Sequence, residues 1–138
     1  MANVIIRSCP SLKLARERKA TITDYSLIKI SSFLKSYAKG KRYFIYTHGC
    51  QANYRDSEVY RGILEASGFK RSLDVNKANI IIINTCAVRA NAENKVLGEI
   101  GNLKKKDAIL IIAGCMVMEE IMVKELIKTF HQVDIIMG

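Results

Sequence analysis

No run of apolar residues in this 138-residue chain approaches the roughly 20 needed to cross a bilayer as a helix, so no membrane span is expected. The start, Met1-Ala-Asn-Val-Ile-Ile-Arg7, is too short and too soon charged for a signal peptide, and the protein is read as cytoplasmic. Phosphate-binding loops are missing as well. Neither G-x-G-x-x-G nor G-x-x-x-x-G-K-S/T occurs, which leaves a nucleotide or flavin site without support. Cysteine is scarce, with four residues and no Cys-x-x-Cys pair, and no base stands beside any of them in sequence. A thioredoxin-like redox site is therefore a weak reading. In a cytoplasmic protein the four are expected as reduced thiols or metal ligands, not as a disulfide framework. Acidic residues are nearly absent from positions 1–42, where Glu17 and Asp24 face ten Lys/Arg. That segment holds +8 of the chain's net +9, and residues 43–138 hold +1. A basic arm of this kind suits an acidic partner such as RNA, or a solvated leader.

What is present is one repeated pattern. Three short runs rich in β-branched or aromatic residues each lead into a cysteine: Tyr43-Phe-Ile-Tyr-Thr-His-Gly-Cys50, Asn79-Ile-Ile-Ile-Ile-Asn-Thr-Cys86 and Ala108-Ile-Leu-Ile-Ile-Ala-Gly-Cys115. Such runs are the signature of buried parallel strands. In an open α/β sheet, ligands bind beyond the carboxyl ends of the strands, so three cysteines at three such ends can converge. The hydrophobic content of 49% and charged content of 25% are those of one globular domain with a real core.

Taken in order, residues 1–22 show no period and read as loop or disorder. A helix is predicted from Thr23 to about Ala38, with Leu27, Ile30, Leu34 and Tyr37 on one face and Gly40 as its stop. A strand at Tyr43–Thr47 is followed by a loop, His48–Arg55, and a helix from Asp56 to Ser67 with Val59, Ile63 and Leu64 inward, ended by Gly68. Phe69–Leu73 reads as a short strand and Asp74–Asn79 as a turn. A strand at Ile80–Ile83, a helix at Ala87–Lys105 with Val96, Leu97, Ile100 and Leu103 inward, and a strand at Ile109–Ala113 follow. A helix at Val117–Phe130, with Met122, Leu126, Ile127 and Phe130 inward, and a strand at Val133–Ile136 complete the pattern. The order β-α-β-β-α-β-α-β predicts a doubly wound, flavodoxin-like, mostly parallel sheet of about five strands behind a basic N-terminal extension. The division expected is 1–42 and 43–138, and the stop at Gly138, directly after a strand, reads as the end of a fragment.

Cys50, Cys86 and Cys115 are the candidate site. Three thiolates suit an iron–sulfur cluster with one iron left free, or zinc with a fourth ligand. His48 is a candidate for that fourth ligand and is read instead as a loop histidine without a metal role. Cys9 lies outside the pattern and reads as a free thiol. His131 reads as complementing a helix dipole, and Met116, Met118 and Met122 as packing.

The same residues carry a resemblance. Gly49-Cys50-Gln51-Ala52-Asn53 with Asp56-Ser57-Glu58 resembles the GCQMN…DSE signature of the methylthiotransferases. Asn84-Thr85-Cys86-Ala87-Val88-Arg89 resembles their second motif and Gly114-Cys115-Met116 their third. Asn91–Gly101 and His131–Gly138 look most like the MiaB branch, and Pro10–Lys13 with Ala15 and Arg18 resembles leaders of some bacterial members. The resemblance implies radical S-adenosylmethionine chemistry with two 4Fe-4S clusters. The auxiliary cluster would be held by Cys50, Cys86 and Cys115, leaving one iron open for the sulfur to be delivered. In that branch the substrate is an isopentenylated adenosine beside the tRNA anticodon, converted to its 2-methylthio form, with the tRNA anticodon stem-loop and a sulfur donor as partners. Sister branches act on a ribosomal protein or on threonylcarbamoyl-adenosine in tRNA. Ala52 replaces the usual Met, and Val117-Met118 replaces a small-residue–Gln pair, without removing a ligand. The Cys-x-x-x-Cys-x-x-Cys run of the radical domain does not occur here, so S-adenosylmethionine and the second cluster are implied only for the full-length enzyme. This chain is expected to be its N-terminal domain, inactive alone and monomeric. A non-catalytic zinc- or RNA-binding module is the competing expectation.

Overall fold

The computed structural model describes residues 5–7, 29–87, 90–103 and 107–138. Runs of β-branched residues become strands, as expected, because their branched side chains pack well on a pleated surface. In chain order the elements are β1 (Ile5–Arg7), α1 (Ser32–Ala38), β2 (Arg42–Thr47), α2 (Gln51–Ser67), β3 (Lys70–Arg71), a 3-10 turn (Val75–Lys77), β4 (Ile80–Thr85), α3 (Ala90–Asn102), β5 (Ile109–Gly114), a 3-10 turn (Cys115–Met118), α4 (Glu120–Thr129) and β6 (Ile135–Met137). The strands form one parallel sheet in the order β1-β6-β5-β4-β2-β3. From β3 to β6 this is the flavodoxin-like order, with the topological switch between β2 and β4.

The central strand, β4, is buried along its whole length, and its side chains alternate between two cores. Ile81 and Ile83 pack with Leu110, Ile112, Val96, Ile100, Met116 and Leu126 beneath α3 and α4. Ile80 and Ile82 pack with Tyr43, Leu64, Phe69 and Ala38 beneath α1 and α2. Each fully buried isoleucine contributes about 1.5–3 kcal/mol, so this strand anchors both layers. Register then aligns the strand ends: Thr47 pairs with Asn84, and Thr85 pairs with Gly114. The chain beyond β2, β4 and β5 therefore emerges at one edge.

Several boundaries differ from the sequence expectation. Ile5–Arg7, within a segment read as loop, is an edge strand paired with β6; the signal was its β-branched pair, Ile5-Ile6. The first helix begins at Ser32, capped by the Ser31 hydroxyl, which accepts from Leu34 N at 3.1 Å. Lys29–Ser31 is not helical, and the expected start at Thr23 lies outside the described residues. The next helix begins at Gln51, five residues early, and its buried face is Asn53, Ser57, Leu64 and Ser67. Val59 points to solvent. Three of those four residues are polar, so a search for apolar period misplaces it. The β4–α3 connection reads as helix from Ala87, but α3 begins at Ala90. In the last helical stretch Ile127 is exposed, and a 3-10 turn precedes α4. Met116 is core, Met122 is half-buried and Met118 is exposed. Cys9 and Lys104–Lys106 lie outside the described residues.

Candidate metal centre

Each candidate cysteine is set by the end of a strand. Cys50 is the N-cap of α2, where the first backbone N–H groups lack intrahelical partners. The N–H groups of Asn53 and Ala52 face its sulfur and hold this exposed thiol below the ordinary cysteine range. Cys86 follows β4 directly and is buried. Cys115 follows Gly114 directly and opens the 3-10 turn, exposed. Its thiol is pushed up by burial of the sulfur itself and then by the charges of Cys86, Cys50 and Asp56.

Two glycines permit this approach. Gly49 has φ +145°, and a Cβ there would stand 2.3 Å from Asn53 Oδ1 and 2.5 Å from Cys86 Cβ. Gly114 has φ +100°, and a Cβ there would stand 2.2 Å from the Thr85 carbonyl oxygen and 2.6 Å from Asn84 Oδ1. The absence of a side chain at each lets the Cys50 loop lie on Cys86 and the Cys115 loop lie on Thr85.

Beneath the cysteines runs a buried polar network. Asn53 Oδ1 accepts from Cys50 N at 3.2 Å and from the Cys50 thiol at 3.4 Å. Asn53 Nδ2 donates to Asn84 Oδ1 at 3.2 Å and to the Thr85 carbonyl at 3.0 Å. Asn84 Nδ2 donates to the Asn53 carbonyl at 2.7 Å and to Ser57 Oγ at 3.0 Å. Ser57 Oγ is 2.7 Å from Thr47 Oγ1, and Thr85 Oγ1 donates to the Ala113 carbonyl at 3.0 Å. Every described buried side-chain nitrogen and oxygen has a partner, as the cost of burying an unpaired polar group requires.

The structure thus brings the three cysteine loops to one edge. Among the described residues, no three His, Cys, Asp or Glu side chains stand at metal-ligand spacing. The donor chemistry does fit a soft metal centre: three thiols stand at one edge, backbone N–H groups favour the thiolate of Cys50, Cys115 feels the charges of Cys86 and Cys50, and a cation among them would remove that repulsion. His48 is engaged elsewhere, with Nε2 at 2.7 Å from Glu99 Oε2 and its ring stacked on Tyr46. In sequence, Asn53, Ser57, Asn84 and Thr85 stand only as motif neighbours of the cysteines, without a role of their own. The available signal was polar residues where apolar ones belong: the (i, i+4) pair Asn53/Ser57 in α2, and Asn84-Thr85 closing an isoleucine run.

Comparison with known proteins agrees with the motifs. The family described as "Uncharacterized protein family UPF0004" matches residues 42–138. The chain is 46% identical over 135 residues to the "tRNA-2-methylthio-N(6)-dimethylallyladenosine synthase" of Bacillus subtilis (strain 168), covering 94% of this chain and 26% of that protein. It is 44% identical over 135 residues to the protein of the same name from Staphylococcus haemolyticus (strain JCSC1435), with the same coverage of each. The chain therefore spans about a quarter of the length of these relatives. The resemblance to the MiaB-type methylthiotransferases read from the three cysteine motifs is borne out, and the chain belongs to the UPF0004 family, the N-terminal part of such enzymes.

Proposed function

We propose that residues 43–138 form the auxiliary cluster-binding domain of a tRNA methylthiotransferase, with Cys50, Cys86 and Cys115 as the ligands of a 4Fe-4S cluster. Residues 1–42 are its basic extension. The observation that carries this reading is the alignment of the three cysteine-bearing strand ends at the switch-point edge. When bound, such a cluster supplies an iron without a protein ligand, a position for the sulfur to be transferred. The protein's own part is to hold the thiols. The N–H groups at the start of α2 favour the ionised form of Cys50, and Gly49 and Gly114 keep the loops pressed together. The relatives' name points to the substrate, N(6)-dimethylallyl (isopentenylated) adenosine in tRNA, converted to its 2-methylthio form, and the family resemblance implies the anticodon stem-loop as its place. The +8 charge of residues 1–42 suits contact with RNA phosphates. S-adenosylmethionine and a second cluster belong to the full-length enzyme, which acts in the cytoplasm as a monomer and uses a sulfur donor. Among the described residues no helix is long and apolar enough to cross a membrane.

The test is anaerobic reconstitution with iron and sulfide. About four irons per chain with a cluster absorption band are expected, lost in Cys50→Ala, Cys86→Ala and Cys115→Ala and kept in Cys9→Ala. Tight zinc without that band would replace this reading with a zinc module. Cleavage of S-adenosylmethionine by this chain alone would refute its assignment as an incomplete enzyme.

A further inference from the structure

We infer that Asn84 is a positioning residue of the centre, one buried side chain that ties the three cysteine loops together before any metal is present. The inference rests on the cluster-binding reading above for its purpose, and on hydrogen-bond geometry for its content. Asn84 is fully buried. Its Nδ2 donates to the Asn53 carbonyl at 2.7 Å and to Ser57 Oγ at 3.0 Å, both in the first two turns of the helix that Cys50 caps. Its Oδ1 accepts from Asn53 Nδ2 at 3.2 Å, and Asn53 Oδ1 accepts from Cys50 N. These bonds orient the Cys50 loop.

The same Oδ1 reaches the third loop. A Cβ on Gly114 would stand 2.6 Å from it, so Gly114 lies directly against Asn84, one residue before Cys115. The Asn84 backbone sits in β4, two residues before Cys86, and its carbonyl accepts from His48 N at 2.8 Å. Both amide hydrogens are therefore used, and both carbonyl-type oxygens of the residue are used. Flipping the amide would set Nδ2 against Asn53 Nδ2 and Oδ1 against the Asn53 carbonyl. The orientation is thus dictated, and no other residue type supplies two donors and an acceptor in that space. Aspartate matches the shape and loses both donors, placing an oxygen against the Asn53 carbonyl; leucine matches the size and loses all three bonds. A merely space-filling residue would tolerate either change better than this arrangement allows.

The experiment compares Asn84→Asp and Asn84→Leu with Leu126→Ala, a core truncation in α4 that takes no part in the polar network around Asn84. Two readouts are used: iron per chain after anaerobic reconstitution, and peptide-level amide hydrogen exchange on the metal-free protein. Both Asn84 variants are expected to fall from about four irons to below about one. They are also expected to exchange about tenfold faster in segments 47–53 and 113–117 together, although these lie in separate parts of the chain. Leu126→Ala is expected to be destabilised yet keep its iron. If wild type binds no iron, the cluster reading fails while the exchange comparison still decides the role of Asn84. Retention of iron by both Asn84 variants, or faster exchange confined to the neighbourhood of residue 84, would overturn the inference. Should the Asn84 variants fail to fold, Ser57→Ala, compared with Thr47→Val as the reference that breaks the Ser57–Thr47 hydroxyl bond alone, also removes one acceptor of Asn84. It is expected to speed exchange in segment 47–53 beyond that reference, and exchange there no faster than the reference would be equally decisive against the proposal.

Discussion

Replacing Gly114 with alanine tests the architecture of the cysteine edge at its tightest point. The residue has φ +100° and ψ −168°, a region that residues with a Cβ avoid, so the backbone term alone costs about 1–3 kcal/mol. The new methyl would also stand 2.2 Å from the Thr85 carbonyl oxygen and 2.8 Å from Thr85 N. Both are atoms of β4, a strand paired on each side and buried throughout, so they cannot move aside as a flexible side chain would. Relief requires β5 and β4 to separate at their carboxyl ends, adding about 1–3 kcal/mol of overpacking. The sum is about 4 kcal/mol. For a chain of this size it corresponds to a fall of about 15 °C in the melting midpoint. Urea unfolding of the metal-free protein gives the free energy, and iron reconstitution gives the consequence for the site. Because the displacement falls at Thr85-Cys86 and Gly114-Cys115, the folded fraction of the variant is expected to bind little iron. A loss of less than about 1 kcal/mol with full iron retention would refute the claim that these two loops are held in contact.

The other predictions use quieter positions. Gly62 lies exposed within α2, and a Cβ there meets nothing; Gly62→Ala should therefore stabilise by about 0.5–1 kcal/mol, read as a higher urea midpoint. Tyr43 is 1% exposed and donates its hydroxyl to Glu65 Oε1 at 2.6 Å, so Tyr43→Phe should cost about 1 kcal/mol at neutral pH by the same assay. Burial and then the Glu65 hydrogen bond push the Tyr43 hydroxyl up to about 12. Its folded value lies above its unfolded value of about 10, so its contribution is complete below pH 10 and is lost as pH rises toward 12. Urea unfolding between pH 8 and pH 11 should accordingly fall more steeply for wild type than for Tyr43→Phe, and parallel curves would count against the buried hydroxyl.

The periodic part of the architecture was legible in the chain itself. Ile80–Ile83 and Ile109–Ala113 are runs whose β-branched content leaves few alternatives to buried strands, and the alternation with helices implies parallel pairing and a switch point. Helix ends were less legible where the buried face is polar. The first two turns of α2 hide Asn53 and Ser57, so apolar period finds the helix only from Asp56. A pair of β-branched residues in the leader was likewise too short to outweigh its charged surroundings until β6 offered an edge to pair with.

For the site, the motif spacing identified the cysteines by sequence, because a strand followed at once by a cysteine places that cysteine at a known edge. What holds them is a different matter. Asn53 and Asn84 are 31 residues apart and lie in different elements, and their reciprocal amide bonds exist only once α2 is laid against β4. The need for glycine at positions 49 and 114 arises in the same way, from atoms of Cys86, Asn53, Asn84 and Thr85 that approach from other segments. A linear chain reports its own backbone preferences and periods, which are local. It does not report which of its polar atoms will be buried against one another. The parallel α/β order and the three strand-end cysteines follow from local periods along the chain; which uncharged neighbours hold those cysteines follows from the packing of helix on sheet.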